Sequence, residues 1–99
     1  MKIAFTAPLW EWPAKAAWFF VTLPVEESGM IRMAASAGSK PRGFGSLRVR
    51  ARIDETEWAT SIFPDSKAGA YLLPVKASVR KAEGLAAGAV VAVTVSIDI

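Results

Sequence analysis

Two short segments of this chain share one sequence pattern at a separation of about half the chain length. Residues 23–28 (Leu-Pro-Val-Glu-Glu-Ser) and 73–78 (Leu-Pro-Val-Lys-Ala-Ser) agree at four of six positions, at an offset of fifty in 99 residues. Gly38 and Gly88 keep the same offset. In each half a predicted strand leads into Leu-Pro-Val, a helix follows, and a glycine precedes another strand. The pattern therefore predicts two similar halves that cover each other's strand edges in a closed β-barrel.

Local signals place the elements of this barrel. Pro24 suits the first turn of a helix, where the missing N–H donor is not needed, Pro74 ends a short strand, and Gly84 stands at an expected left-handed C-cap. We therefore expect two short helices, near residues 25–35 and 75–83, among about six to seven strands. The first strand is expected to end at Pro8. The strands are expected at residues 2–8, 18–23, 47–53, 58–63, 71–73 and 90–97.

Several longer motifs match a family pattern. They are Trp18-Phe19-Phe20-Val21-Thr22-Leu23-Pro24, Thr60-Ser61-Ile62-Phe63-Pro64, Tyr71-Leu72-Leu73-Pro74-Val75, Val79-Arg80-Lys81-Ala82 and Gly84-Leu85 with Gly88. On these motifs nearly the whole chain resembles the bacterial domain of unknown function 1905 family, and more distantly the AbrB, MazE and SpoVT group of swapped-hairpin proteins. The resemblance implies a mainly β fold, a single-chain pseudo-twofold double-split β-barrel. Ala89 and Lys76 depart from the family pattern, which usually has an acidic residue and an asparagine there.

Length and hydropathy bound the class of protein. With 99 residues, of which 53% are hydrophobic and 21% charged, the sequence predicts one folded domain over residues 1–99. The first residues alternate polar and apolar, so we expect no signal peptide. The longest apolar stretches, residues 16–21 and 86–93, are too short to span a membrane. We expect a cytoplasmic bacterial protein that is a monomer and has no membrane partner.

The residue types needed for catalysis are largely missing. The chain contains no histidine and no cysteine, which excludes disulfides, thiol catalysis, histidine acid–base chemistry and ordinary zinc sites. The acidic residues are explained by a helix N-terminus at Glu26 and Glu27 and by a turn at residues 54–57. Residues 43–45 (Gly-Phe-Gly) are not followed by the Gly-Lys-Ser/Thr of a phosphate-binding loop. We therefore expect a non-catalytic protein with no cofactor and no metal.

The tryptophans are candidates for a contact surface. Trp18 and Trp58 fall in predicted strands and are expected in the core. Trp10 and Trp12 fall in a predicted loop between two prolines, where exposure for a ligand or partner is easier. The alternative, which we favour for these two residues, is that they cover one end of the barrel.

Basic residues on the second predicted helix complete this candidate surface. Lys76 and Arg80 are four positions apart and share a helix face. For Arg80 itself the favoured interpretation is that it ties the helix to a neighbouring carboxylate or to backbone carbonyls. The favoured function is a small binding or interaction module whose partner is a protein or a small ligand. Its groove is expected near Trp10, Trp12, Tyr71, Lys76 and Arg80.

A second basic surface carries the alternative function, nucleic-acid binding. In residues 47–53 arginines alternate with apolar residues, so they share one strand face at intervals of about 6.6 Å and can contact successive phosphates. The favoured interpretation is a solvated face with the arginines paired across the hairpin to Glu55 or Glu57. Nucleic acid is thus not the favoured partner. The candidate contacts are Arg48, Arg50 and Arg52, with Lys40 and Arg42 in the preceding loop.

Overall fold

Six strands and two helices form within the residues that the computed structural model describes, 1–38 and 45–99. The predicted contact residues Lys40 and Arg42 lie outside these ranges. The strands are β1 (Lys2–Glu11), β2 (Phe19–Thr22), β3 (Leu47–Ile53), β4 (Thr56–Asp65), β5 (Ala70–Pro74) and β6 (Val90–Ile97). The helices are α1 (Val25–Gly38) and α2 (Ala77–Glu83).

The six strands close into an antiparallel barrel with the order β1-β2-β5-β4-β3-β6. Closure depends on β1, which pairs with β6 through residues 2–8 and with β2 through residues 9–11. The prediction that β1 ends at Pro8 is therefore wrong. Pro8 lies where β1 changes its partner, and it is the last residue paired with β6. The mainly β closed barrel with two short helices is confirmed.

The two halves of the chain contain the same order of elements. Each half runs strand, strand, helix, strand. Exchanging β1 with β4, β2 with β5 and β3 with β6 leaves the neighbour order around the barrel unchanged. β2 and β5 pair with each other, with Val21 opposite Leu73 and Thr22 opposite Leu72. The matching segments 23–28 and 73–78 therefore follow two neighbouring strands.

The barrel interior is filled by alternate residues of the strands. In β3, for example, Val49, Ala51 and Ile53 are buried while the three arginines that alternate with them are exposed, as the alternation predicts. Branched aliphatic side chains predominate because they pack well on a pleated surface. The core consists of Ile3, Phe5, Leu9, Val21, Leu23, Ile31, Val49, Ala51, Ile53, Trp58, Ile62, Tyr71, Leu73, Val75, Val79, Val91, Val93, Val95 and Ile97.

The two helices begin differently although both follow Leu-Pro-Val. α1 begins at Val25, as predicted, and continues to Gly38, beyond the predicted end near residue 35. α2 begins at Ala77, two residues later than predicted, because the Val75 N–H donates to the Phe19 carbonyl (2.9 Å) and extends the sheet pairing. Gly84 ends α2 in the left-handed conformation (φ 63°), which confirms the predicted C-cap.

Candidate ligand-binding groove

An open groove of about 500 Å³ lies where β2, β4 and β5 meet the beginning of α2. Its lining is mainly apolar because β2 begins with two phenylalanines and β5 ends with a proline that pairs with one of them, Phe20 opposite Pro74. The side chains of Phe63 and Trp18 in this lining remain 44% and 51% exposed. The aromatic groove, as we call it, is lined by Trp18, Phe19, Phe20, Trp58, Phe63 and Pro74, with Lys76 and Arg80 at its cationic side.

Trp18 lies at the rim of the aromatic groove, so the prediction that it belongs to the core is wrong. β2 begins one residue later, at Phe19, and Ala17 before it adopts a left-handed conformation (φ 72°). This left-handed conformation ends the loop that carries Trp18. The Lys15 ammonium lies 4.6 Å from the centre of the Trp18 ring. Local propensity for a strand could not reveal where the pairing with β1 starts.

Trp58, in contrast, is buried as predicted, with 5% of its surface exposed. It lies in β4, belongs to the core cluster and also lines the aromatic groove. Its indole Nε1 is buried and has no hydrogen-bond partner among the described residues. Buried tryptophan N–H groups usually have an acceptor, and leaving one unpaired costs about 1–3 kcal/mol. Trp58 is therefore an unsatisfied donor beside the groove.

Arg80 is held in place by three contacts. Its Nε donates to the Val75 carbonyl (3.1 Å) and its Nη2 to the Ala17 carbonyl (3.3 Å). Its guanidinium carbon lies 3.9 Å from the centre of the Phe19 ring. The favoured interpretation, in which Arg80 ties the helix to backbone carbonyls, is thus confirmed. Since Arg80 also lines the groove, the same contacts fix the position of a positive charge there.

The charge of Arg80 has no carboxylate partner within 4.0 Å among the described residues. Among the described residues, the ion pair within 4.0 Å joins Arg50 and Glu57 of the β3–β4 hairpin. The part of the groove lining that the structure describes contains no carboxylate. Lys76, the exposed residue before α2, adds a second positive charge to the same lining.

Trp10 and Trp12 form an aromatic cluster with Phe20 beside the groove. The ring centres are separated by 5.9 Å between the two tryptophans, and by 5.3 Å and 5.6 Å between each of them and Phe20. The Trp10 Nε1 donates to Thr22 Oγ1 (2.9 Å), which fixes the indole on the outer surface of β1 and β2. Contrary to the predicted loop, Trp10 lies within β1. Phe20 connects this cluster to the groove, which Trp10 and Trp12 themselves do not line.

Tyr71 lies apart from the other four predicted groove residues. It is 4% exposed in β5, and its backbone N–H donates to the Ser28 Oγ of α1 (3.0 Å). It lines a separate hollow of about 190 Å³ with Arg32 and Pro64. The structure therefore brings Lys76 and Arg80 to the groove, places Trp10 and Trp12 beside it, and places Tyr71 elsewhere.

The arginines of β3 bond to groups of their own hairpin. Arg48 Nη1 donates to Ser61 Oγ (3.3 Å), and Arg52 Nε donates to the Asp54 carbonyl (2.7 Å). Arg50 pairs with Glu57 at 2.9 Å, which confirms the predicted pairing across the hairpin. The hydrogen bond and charge of Arg50 lower the pKa of the Glu57 carboxyl below its usual value.

Sequence reasoning did not select Phe63, which forms a wall of the groove. A usable signal was present in β4: Trp58 and Ile62 point into the barrel, so the period of two places Phe63 outside. The sequence predicts a strand at Phe19 and Phe20 but does not identify them as residues of a binding site. Their function depends on Pro74, their neighbour on β5, which no local pattern identifies.

The described part of the chain offers no metal centre, since it contains no group of three or more potential His, Cys, Asp or Glu ligands. The groove residues can stack on flat apolar groups and attract negative charge, but they include no carboxylate or histidine for proton transfer. Neither α1 nor α2 is long and apolar enough to cross a bilayer.

Barrel and groove together define a small antiparallel β-barrel protein with an aromatic surface site. Residues 5–95 match the family described as Domain of unknown function (DUF1905), and the chain belongs to that family. No curated protein matches the sequence.

Proposed function

We propose that this chain is a non-catalytic binding module that holds a small ligand in the aromatic groove. The observation that carries the proposal is the groove itself, an open volume of about 500 Å³ with aromatic walls and two cations. Small-molecule sites usually measure roughly 300–1,000 Å³ and combine apolar walls with a few polar groups. The groove has both properties.

The exposed aromatic surface supports the same proposal. Trp18 and Phe63 keep about half of their surface in contact with water, although they lie close to a barrel core that buries Trp58. Contiguous exposed apolar surface is uncommon in soluble proteins and often marks a binding site. A flat ligand between these rings would remove that surface from water.

The absence of catalysis remains part of the proposal and rests on the sequence. The chain has neither histidine nor cysteine, and the groove lining supplies a lysine and an arginine as its charged groups. Arg80 already uses its side chain to join Val75 and Ala17, a role in positioning and binding.

We also propose that the protein acts as a monomer, and we retain the expectation of a cytoplasmic bacterial protein. Every strand of the barrel is paired on both sides within one chain, so no strand edge requires a second copy. The double-split, pseudo-twofold arrangement is supported by the strand order, which is unchanged when the halves are exchanged.

Nucleic-acid binding through Arg48, Arg50 and Arg52 is the weaker proposal. Each of these side chains has a partner within the β3–β4 hairpin, and such contacts are typical of a solvated strand face. Phosphate contacts would first have to replace these bonds. Titration of labelled duplex DNA at two salt concentrations tests this alternative, because each phosphate contact contributes about −0.9 to the salt slope.

The binding proposal can be tested with phenylnaphthylamine, a neutral aromatic probe whose fluorescence rises in apolar surroundings. We expect saturable binding to the native protein. Phe63→Ser should weaken it about tenfold, which corresponds to the loss of roughly 50 Å² of apolar contact. Met33→Ser is the matched control, since Met33 is 75% exposed on α1 and does not line the groove. Equal weakening by both substitutions, or no saturable binding, would contradict the proposal.

A further inference from the structure

The charge of the groove points to the class of ligand it holds. We propose that the ligand is a small aromatic anion whose rings lie between Trp18, Phe20 and Phe63, and whose anionic group lies against Arg80 and Lys76. This inference rests on the proposed binding function and adds the charge of the ligand to it.

Charge complementarity favours an anionic ligand. Arg80 and Lys76 line the groove, and none of its described lining residues is acidic. Residues 39–44, whose positions are not described, contain no Asp or Glu in their sequence. No carboxylate in the described ranges lies within 4.0 Å of the Arg80 guanidinium. An anionic ligand supplies the missing counter-charge in a partly apolar setting, where an ion pair is stronger than in open water.

The orientation of Arg80 favours the same class of ligand. A guanidinium carries five N–H donors, of which Arg80 uses one at Nε and one at Nη2 for the two carbonyls. The other N–H donors belong to the same guanidinium, whose plane is fixed by these two hydrogen bonds and by the Phe19 ring. A guanidinium positioned in this way binds a carboxylate, sulfonate or phosphate with little further loss of side-chain freedom.

The size of the groove favours a small molecule over a polyanion. A volume of about 500 Å³ with two cations accommodates one or two rings and a single charged group. Nucleic acids require contacts to many successive phosphates, and the arginines of β3, which adjoin the groove across β4, already bond to groups of their own hairpin.

The experiment compares two probes with the same rings. Anilinonaphthalene sulfonate is anionic, whereas phenylnaphthylamine lacks the sulfonate. We expect the anionic probe to bind about tenfold more tightly to the native protein than the neutral probe does. Addition of about 0.5 M salt should remove most of this preference, because salt screens the charges. Lys76→Glu should reduce the preference about tenfold or more, because it places a like charge beside the sulfonate.

Lys81→Glu is the matched control, since Lys81 is an exposed residue of α2 that does not line the groove and the net charge changes equally. Arg80→Gln is expected to abolish the preference, and circular dichroism shows whether this variant is folded. Should it fail to fold, the contrast between Lys76→Glu and Lys81→Glu decides.

The outcomes separate the two proposals. Equal affinity for the two probes would overturn the proposal of an anionic ligand but leave the proposed binding function intact. An equal loss of the preference from Lys76→Glu and Lys81→Glu would have the same meaning. Failure of both probes to bind saturably would overturn the binding function and this inference with it. Preference for the sulfonate that depends on Lys76 and salt, and not on Lys81, would establish both.

Discussion

The segments 23–28 and 73–78 have nearly the same sequence but different surroundings. Their leucines are equivalent, since Leu23 is 1% and Leu73 is 0% exposed. Their valines are not, because Val25 is 65% exposed and Val75 is 1% exposed. The serines reverse this difference: Ser28 is completely buried and Ser78 is exposed. Identical residues at matching positions thus have opposite burial after the proline.

The difference arises from the residue at which each helix begins. Val25 is already the first residue of α1, so the next turns bring Ser28 and Ile31 against the barrel. Val75 continues the sheet by donating to the Phe19 carbonyl, and its own carbonyl accepts from Arg80. The delayed start of α2 is what places Lys76 and Arg80 beside the aromatic groove.

The comparison teaches that one local sequence can serve two purposes in a barrel of this kind. In the first half the segment attaches the longer of the two helices to the core, through the hydrogen bond from the Tyr71 N–H to Ser28 Oγ. In the second half it leaves a short helix whose side chains line a surface site. Substitutions at matching positions should therefore give equal effects before the proline and unequal effects after it.

The largest effects are expected where the two segments agree. Leu23→Ala and Leu73→Ala should each lower the free energy of unfolding by about 2–5 kcal/mol, because each removes a buried side chain and leaves a cavity. Urea unfolding followed by tryptophan fluorescence measures both values. A loss below about 1 kcal/mol for one of them would show that the segments differ even at the leucine.

The two valines should respond differently to substitution. Val75→Ala removes two buried methyl groups and should cost about 2 kcal/mol, whereas Val25→Ala changes an exposed side chain and should stay within about 0.5 kcal/mol of the native value. The same urea titration provides the measurement. Similar losses for the two valines would mean that the helices begin at equivalent residues after all.

The same contrast separates the part of the fold that the sequence could predict from the part that it could not. Alternation along residues 47–53 predicted both faces of β3, because the period of two is a local property of any half-buried strand. The helix signals predicted α1 and α2 within a few residues. The later start of α2 was not predictable, since it depends on Phe19, a residue more than fifty positions away on a neighbouring strand.

The site was less predictable than the fold for the same reason. Lys76 and Arg80 were selected because one helix turn brings them to one face, and the structure places both at the groove. Tyr71 was grouped with them although its side chain lies in the core. The walls formed by Phe63 and Pro74 depend on which strands are neighbours in the barrel, information that the order of strands in the sequence does not contain.

The serines should show a smaller difference in the opposite direction, with the larger loss in the first segment. Ser28→Ala removes the acceptor of the Tyr71 backbone N–H in a buried position and should cost about 1–2 kcal/mol. Ser78→Ala, at an exposed position, should change stability by less than about 0.5 kcal/mol. Amide hydrogen exchange at Tyr71 should accelerate in the first variant alone. Unchanged exchange there would show that the Ser28 hydroxyl is not the partner that protects this amide.

The smallest effects concern the loops that lead into β2 and β5, and they should have opposite signs. Ala17 and Gly69 both adopt left-handed conformations (φ 72° and 64°) shortly before these strands. Alanine is strained there by about 1–2 kcal/mol, which the greater freedom of glycine in the unfolded chain partly offsets. Ala17→Gly should therefore raise the melting temperature, with a gain in stability of about 0.5–1 kcal/mol.

Gly69→Ala should lower stability by a similar amount, about 0.5–1 kcal/mol, through backbone strain alone. A Cβ at this position would meet no atom within 4 Å, so steric overlap does not contribute to the loss. Differential scanning calorimetry on the two variants and their double mutant measures the pair, and the double mutant should return to nearly the native melting temperature. A change of the same sign in both single variants would show that the two loops are not conformational equivalents, and that the similarity of the halves ends at the strands.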